Sequence, residues 1–356
     1  MNAPLSITPG SPLSVTVETQ CDAAEWDEFV SAQPHGTFFH LSGWGRAVKA
    51  AYGYETFYIT ARREGRLAGV LPLTMARTPL LGASLISTAF SVGGGPLARD
   101  GDALQALLHA ANKLGEETAV RYIECRSDFE AKGWLAQSGR HAGFVTPLLK
   151  DDKEALAAIP RKRRAEIRKA IDAVNKGDLT VRHEGSPDLF YRLYAQSLHR
   201  LGTPVFPRRF LSALMDAFST ETEISVIEHH GEPVAALLSF YFKDKVLPYY
   251  VGATEKARPT RAFDFIYWSA MRRAAEKGYE YFDFGRSKID TGAYAYKKLW
   301  GIDPHPFTYR INLISDDAPP DINVNNPKFA VFSKLWPRLP GFAANRLGPL
   351  LAPNFP

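Results

Sequence analysis

The sequence predicts an α/β (α+β) chain assembled from two successive halves, each with a mixed, mainly antiparallel sheet and flanking helices. Three observations carry this. Gly65-Arg66-Leu67-Ala68-Gly69-Val70-Leu71 follows the strand-like run ETFYITARRE, and Gly231-Glu232-Pro233-Val234-Ala235-Ala236-Leu237 follows EISVIEHH, an offset of 166 residues (65 to 231). Each reads as strand, one-Gly turn, apolar strand, the pattern of a hairpin. Downstream, LQALLHAANKLGEETAV leads into Tyr122-Ile123-Glu124-Cys125-Arg126-Ser127, and FIYWSAMRRAAEKGYE leads into Tyr281-Phe282-Asp283-Phe284-Gly285-Arg286-Ser287, an offset of 159 (122 to 281). Two matches in the same order at nearly equal offsets indicate a duplication. The third observation is length: 356 residues exceed what one core usually fills, and 45% hydrophobic with 23% charged residues is ordinary globular composition.

Each half then reads in order as helices, hairpin strands, a long amphipathic helix, a strand, a short helix and a closing strand. The expected boundaries are residues 12–150 and 151–316, with 317–356 forming a linker (DDAPPDINVNNP) and a basic, Trp- and Leu-bearing tail. In GTFFHLSGWGRAVKAAYG, Ser42 is the expected N-cap, and Trp44, Val48 and Ala51 trace one helical face. In PRKRRAEIRKAIDAVNKG, Pro160 suits the first turn and Gly177 the stop, with Ile167, Ala170, Ile171 and Val174 as the apolar stripe. The charge-free stretch from Thr78 to Ala98 holds two prolines and four glycines, which suits buried strands and turns and not a membrane span.

Net charge is only +5, but it is concentrated. Residues 160–177 carry seven basic residues against two acids, and residues 322–356 carry Lys328, Lys334, Arg338 and Arg346 with no acid. Blocks of this kind suit polyanionic partners. Arg161, Arg164 and Arg168 share one helical face and are the candidate polyanion contacts; the alternative is a solvated face with Lys162–Glu166 and Arg168–Asp172 pairs. In the tail, Phe329, Phe332, Leu335, Trp336, Leu339 and Phe342 accompany only basic charge, so peripheral membrane contact stands beside plain packing against the domains.

Two distant cysteines, Cys21 and Cys125, and nine histidines without ligand spacing argue for neither a disulfide framework nor a metal; no metal and no cofactor are expected. The N-terminus lacks a basic region followed by an apolar one, so the expected location is cytoplasmic. SVGGGPLARDG lacks the GK[ST] ending of a phosphate loop and reads as a turn. The Pro-rich loop LHRLGTPVFPRRF places Arg200 where ligands are often held, or on a plain surface connection. Arg46 and Lys49, three apart on one helix, suit a double grip on an anion, while Trp44 is either a contact or a core anchor. In YFDFGRSKIDTGAYAYKKLWG, Asp283 is a candidate base or a turn cap, and Lys297 and Lys298 supply positive charge beside the small residues Gly292, Ala293 and Ala295.

The order FDFG-R-S…TG-x-Y-x-Y-K-K-L-W-G resembles the C-terminal signature of FemAB-type aminoacyl transferases. PRKRRAEIRKA and Phe39-His40-Leu41-Ser42-Gly43-Trp44…Lys49 belong to the same picture. More narrowly, the chain is similar to FemAB-like proteins associated with exosortase/PEP-CTERM systems. The resemblance covers residues 30–315. It implies two tandem GNAT-like N-acyltransferase domains and transfer of an aminoacyl or acyl group to an amine of an anionic envelope precursor or exopolysaccharide-related glycan. By motif, Lys297 is the family's Phe-Lys lysine, with Tyr296 in place of Phe, and Lys49 its phosphate-gripping lysine; Arg200 is carried over as a substrate contact. With them, Arg286, Tyr294 and Lys298 form the expected substrate-binding set, and Lys297 with Asp283 the catalytic pair. TEKARPTRAFD lacks the Gly-rich pyrophosphate loop of acetyl-CoA-using relatives, which weakens coenzyme A as donor. The chain also lacks the coiled-coil arm that some relatives use for tRNA, so the donor, aminoacyl-tRNA by the resemblance, stays open to acyl-CoA. A coenzyme A-dependent N-acyltransferase and a non-catalytic glycan-binding module are the alternatives.

Overall fold

The computed structural model describes residues 12–78, 82–318 and 334–354. Its elements in chain order begin with β1 (Leu13–Glu18), α1 (Ala23–Ala32), α2 (Ser42–Tyr52), β2 (Thr56–Arg63), β3 (Arg66–Thr78), β4 (Gly82–Ile86), β5 (Leu97–Ala98) and α3 (Gly101–Glu117). Then come β6 (Tyr122–Cys125), β7 (Leu135–Pro147), α4 (Asp152–Ala158), α5 (Arg161–Asn175), β8 (Leu179–Arg182), α6 (Pro187–Arg200) and α7 (Arg208–Ala217). The rest are β9 (Thr222–His229), β10 (Glu232–Phe242), β11 (Lys245–Ala253), α8 (Ala262–Glu276), β12 (Tyr281–Lys288), α9 (Gly292–Lys298), β13 (His305–Leu313) and α10 (Gly341–Leu351).

The chain divides into two compact units, one of residues 12–138 with 308–318 and 353–354, the other of 139–307 with 334–352. The first unit's sheet runs β1-β2-β3-β4-β6-β13 and the second's β8-β9-β10-β11-β12-β7. In each, one neighbouring pair is parallel, β4 with β6 and β11 with β12. The other paired neighbours are antiparallel. The duplication is therefore a repeat of topology as well as of sequence. Its hairpins match in detail: Glu64-Gly65 (φ 53° and 78°) and His230-Gly231 (φ 49° and 78°) are both left-handed pairs, the geometry that follows the right-handed twist of a tight hairpin.

Four expectations are corrected here. Each half was expected to close its own sheet. Instead β7, at the end of the first half, pairs with β12, and β13, at the end of the second, pairs with β6. The division accordingly falls at Ser138/Gly139 and not at 150, and residues 334–352 belong to the second unit and not to a separate tail. The first half also lacks the short helix expected before its closing strand; residues 127–134 are bends and turns. Lys328, Phe329 and Phe332, part of the expected amphipathic tail, lie outside the described residues.

Period-two alternation explains the layers. In the first unit Ile59, Ala61, Leu71 and Leu73 pack with Leu107 and Ala111 of α3. On the other face, Tyr58 meets Trp26 of α1 edge-on at 5.0 Å and donates to the Ser42 carbonyl at 3.1 Å. In the second unit Ile227, Leu237, Phe282 and Phe284 join α5 and α8 in one core. Tyr250 and Phe240 instead face the aromatic side of α6, where Tyr194 meets Tyr250 at 5.6 Å. Covered on both faces, β3 and β10 are buried almost throughout, as their near-continuous apolar runs require.

Candidate active site

The site grows from a single extra residue. Tyr122-Ile123-Glu124-Cys125-Arg126-Ser127 in the first half corresponds to Tyr281-Phe282-Asp283-Phe284-Gly285-Arg286-Ser287 in the second, which is longer by Gly285. In β6 the register against β13 is regular, with Glu124 opposite Ile311 and Cys125 opposite Arg310. Glu124 and Arg126, two apart, share a face and form a buried ion pair at 2.9 Å. Arg126 also donates to the Ser91 carbonyl at 2.7 Å, so the acid is sealed. In β12, Asp283 lies opposite Val145 and Arg286 opposite Gly143, so Phe284 and Gly285 together face Phe144 alone. This is a β-bulge with its glycine at φ +70°. The bulge turns Arg286 off the face of Asp283, whose carboxylate accepts the Gly285 N–H at 2.8 Å instead.

Lys297 fills the space thus opened. Thr291 caps α9 by accepting from Tyr294 N at 3.3 Å, and its hydroxyl donates to the Lys288 carbonyl at 2.7 Å, which fixes the helix on the end of β12. From there the Lys297 ammonium donates to the carbonyls of Gly285 and Arg286, both at 3.1 Å, with the Phe144 ring 5.7 Å away. Two of its three donors are used, which leaves one N–H for a substrate oxygen. Burial lowers the Lys297 pKa to about 8, opposed by Asp283 and reinforced by Arg286. Burial likewise raises Asp283, against the Gly285 N–H and the charges of Lys245, Lys297 and His305. Both groups are held toward neutrality, the condition in which an acid or base works near neutral pH.

The site lies where the pairing of β11 with β12 ends. β11 and β12 pair in parallel only at Lys245–Tyr281 and Val246–Phe282. Asp283 and the bulge therefore lie past the paired segment. At the far end of β11, Arg200 donates to the Ala253 carbonyl at 2.9 Å and is otherwise exposed.

Within the second unit the structure brings together Asp283, Arg286, Tyr294, Tyr296, Lys297 and Lys298. Tyr294 packs edge-on against Phe144 at 5.4 Å, and the Lys298 ammonium lies 5.9 Å from the Tyr294 ring, at the exposed end. Tyr296 is turned inward, donating to Asp264 at 2.9 Å, so it positions α9 and offers little to a substrate. Sequence reasoning missed two residues here, Arg163 and Asp264. Arg163 pairs with Asp264 and stacks over Tyr296 at 4.8 Å and Trp300 at 5.8 Å, tying α5, α8 and α9 together. The signal available was that Arg163 falls off the face shared by Arg161, Arg164 and Arg168.

The polyanion candidates separate accordingly. Arg161 and Arg168 are exposed without a partner among the described residues, whereas Arg164 donates to the Ala157 carbonyl at 3.1 Å. Glu166 pairs with Lys169 at 2.8 Å and Arg261 at 3.0 Å, which corrects the expected Lys162–Glu166 pair. In the first unit, Trp44 is a core residue at 1% exposure whose indole donates to the Ala89 carbonyl at 2.8 Å. That removes it as a substrate contact. Ser42 does not cap α2; its hydroxyl donates to Asp27 at 3.0 Å and accepts from Arg46 at 2.7 Å. Lys49 pairs with Glu55 at 2.7 Å, half exposed, and an anion would have to compete with that carboxylate. No group of acids, cysteines and histidines suited to a metal occurs among the described residues.

Comparison with known proteins bears on the fold and the family likeness. Residues 161–298 match the acetyltransferase (GNAT) domain family. A segment of 171 residues is 28% identical to the lipid II:glycine glycyltransferase of Staphylococcus aureus, covering 41% of this chain and 39% of that protein. Among solved structures, FemX superposes with a TM-score of 0.66 at 18% identity, over 84% of this chain and 98% of its own. A tandem GNAT protein from the clavulanic acid biosynthesis pathway gives 0.52 at 14% identity, over 87% and 100%. The fold is thus that of tandem GNAT domains.

Proposed function

From a chain homologous to the lipid II:glycine glycyltransferases and folded as tandem GNAT units, we propose an N-acyltransferase whose chemistry resides in the second unit. The observation that carries this is the Gly285 bulge: in the first unit the corresponding acid, Glu124, is locked to Arg126, whereas in the second the bulge turns Arg286 away from Asp283 and offers the Gly285 and Arg286 carbonyls as the anchor of Lys297. The acceptor amine attacks the carbonyl carbon of an activated ester or thioester, the new C–N bond forms, and the carbonyl oxygen takes the electron pair. The free N–H of Lys297 stabilises that oxyanion. Asp283 takes the amine proton, the oxyanion collapses, and the alkoxide or thiolate leaves with a proton.

The donor we favour is aminoacyl-tRNA and the acceptor an envelope precursor of the kind that the name lipid II:glycine glycyltransferase describes; an exopolysaccharide-related amine is the alternative acceptor. The unpaired Arg161 and Arg168 support a polyanionic donor. Titration with charged tRNA, uncharged tRNA and acyl-CoA at two salt concentrations tests this. Charged tRNA is expected to bind best, and Arg161→Ala or Arg168→Ala to lessen the slope of log K against log salt by about 0.7–0.9 each. Preferential, salt-insensitive binding of acyl-CoA would move the donor to coenzyme A.

A pH profile separates a charged Lys297 from a structural one. Its protonated form is the stabilising one, so kcat/KM is expected to fall as pH rises through about 8, with a one-proton slope. Stability moves the other way. Between pH 8 and the unfolded value of 10.5 the unfolded chain holds more protons, so the fold gains stability as pH rises, and unfolding cannot imitate the limb. A flat profile across pH 8 would remove Lys297 from the reaction.

A further inference from the structure

α10 packs with its small residues inward and its large apolar residues outward. Ala344 and Gly348 are buried, and a Cβ on Gly348 would lie 2.9 Å from the Val205 backbone nitrogen. Phe342 is 79% exposed and Leu350 69%. A surface helix normally buries its large apolar stripe, so this arrangement presents that stripe to something outside the protein. Phe342, Arg346 and Leu350 are four apart, on one line along the helix, with an exposed cation between two apolar anchors.

We propose that this face of the second unit docks on an anionic lipid bilayer surface. The charge around it selects that occupant. Residues 322–356 contain no acid, and Lys334, Arg338 and Arg346 are exposed without ion-pair partners among the described residues. An open groove of ≈590 Å³ runs beside Asn345 of α10, lined on α6 and α7 by Arg192, Arg208 and Asp188. Arg192 is exposed and has no ion-pair partner among the described residues. Arg208 lies over the Tyr191 ring at 5.2 Å and reaches Asp188 at 3.2 Å, an exposed pair that a phosphodiester can displace. A lipid phosphate then occupies the groove, Phe342 and Leu350 enter below the headgroups, and Arg346 reaches back to the interface. A second copy of the chain fits less well, because face-to-face packing would oppose Lys334, Arg338 and Arg346 with themselves.

The test is co-sedimentation of the full-length protein with vesicles of phosphatidylcholine alone or with phosphatidylglycerol added, with sedimentation velocity in the absence of lipid. Binding is expected only to the anionic vesicles and to weaken with salt. Phe342→Ser with Leu350→Ser is expected to lower the partition coefficient about tenfold or more, and Arg192→Ala and Arg346→Ala about fivefold each, with unchanged circular dichroism and Tm. Equal binding to neutral vesicles, no binding to either, or full binding by the variants would each overturn the proposal. So would a lipid-free dimer dissolved by the Phe342/Leu350 variant, which would make the occupant a second copy. None of these readouts depends on acyl transfer.

Discussion

Lys297→Ala is expected to lower kcat by roughly 10²–10³, the loss of one oxyanion donor worth about 2.7–4 kcal/mol of barrier, with little change in the affinity for donor. The structure explains why the effect should fall on kcat. The ammonium is anchored by two main-chain carbonyls, those of Gly285 and Arg286, and so is held in place before substrate arrives. Lys297→Arg should not rescue, because a planar guanidinium cannot satisfy both carbonyls and still present an N–H in the same direction. Single-turnover kinetics with a preloaded donor would read the chemical step directly, and an unchanged rate in Lys297→Ala would sink the assignment. A non-catalytic glycan-binding protein would tolerate the substitution without loss of its binding.

Gly252→Ala is expected to destabilise the second unit by ~3 kcal/mol or more, the upper range for overpacking. Gly252 sits in β11 where α6 crosses with its backbone almost in contact. An added Cβ would lie 2.3 Å from the Tyr194 nitrogen and 2.5 Å from both Leu193 C and Tyr194 Cα. No side chain is there to swing away, so the helix itself must shift. That shift would pull Arg200 from the Ala253 carbonyl and disturb the packing of Tyr194 on Tyr250. A fall in Tm on the order of 6–12 °C is the expected reading in a unit of this size, and a Tm within a degree of wild type would refute the close approach.

The duplication was legible because its signals are local. A turn that needs two left-handed residues and a helix that stops before a Tyr-led strand leave marks at fixed spacing. The proposed pair of Lys297 and Asp283 was suggested by the order of the FDFG and YKK segments, and the structure places both at the β12 bulge. Strand exchange was not, because GRHAGFV and FTYRINL each satisfy strand periodicity without recording which sheet they complete. The bulge was present in the sequence as a one-residue difference between the two repeats, yet its meaning needed the register against Phe144. Arg163 was counted only among the seven basic residues of 160–177, and its pairing with Asp264 and stacking on Tyr296 and Trp300 are what distinguish it. Trp44 was open to two readings, and the bond from its indole to Ala89 decides for the core.

The exchanged closing strands also bear on the birth of the protein. As the chain leaves the ribosome, β6 emerges with one flank bare, and the segment that covers it, Thr308–Leu313, is made only after nearly all of the second half. Throughout that interval the nascent first unit exposes a raw sheet edge beside an apolar core, the state in which chains aggregate. Pairing Cys125 with Arg310 is a long-range closure, slow by its nature. The first unit's sheet is therefore completed only after β12 has met β7 in the second, and a cut at Ser138/Gly139 would part β6 from the β13 that covers it.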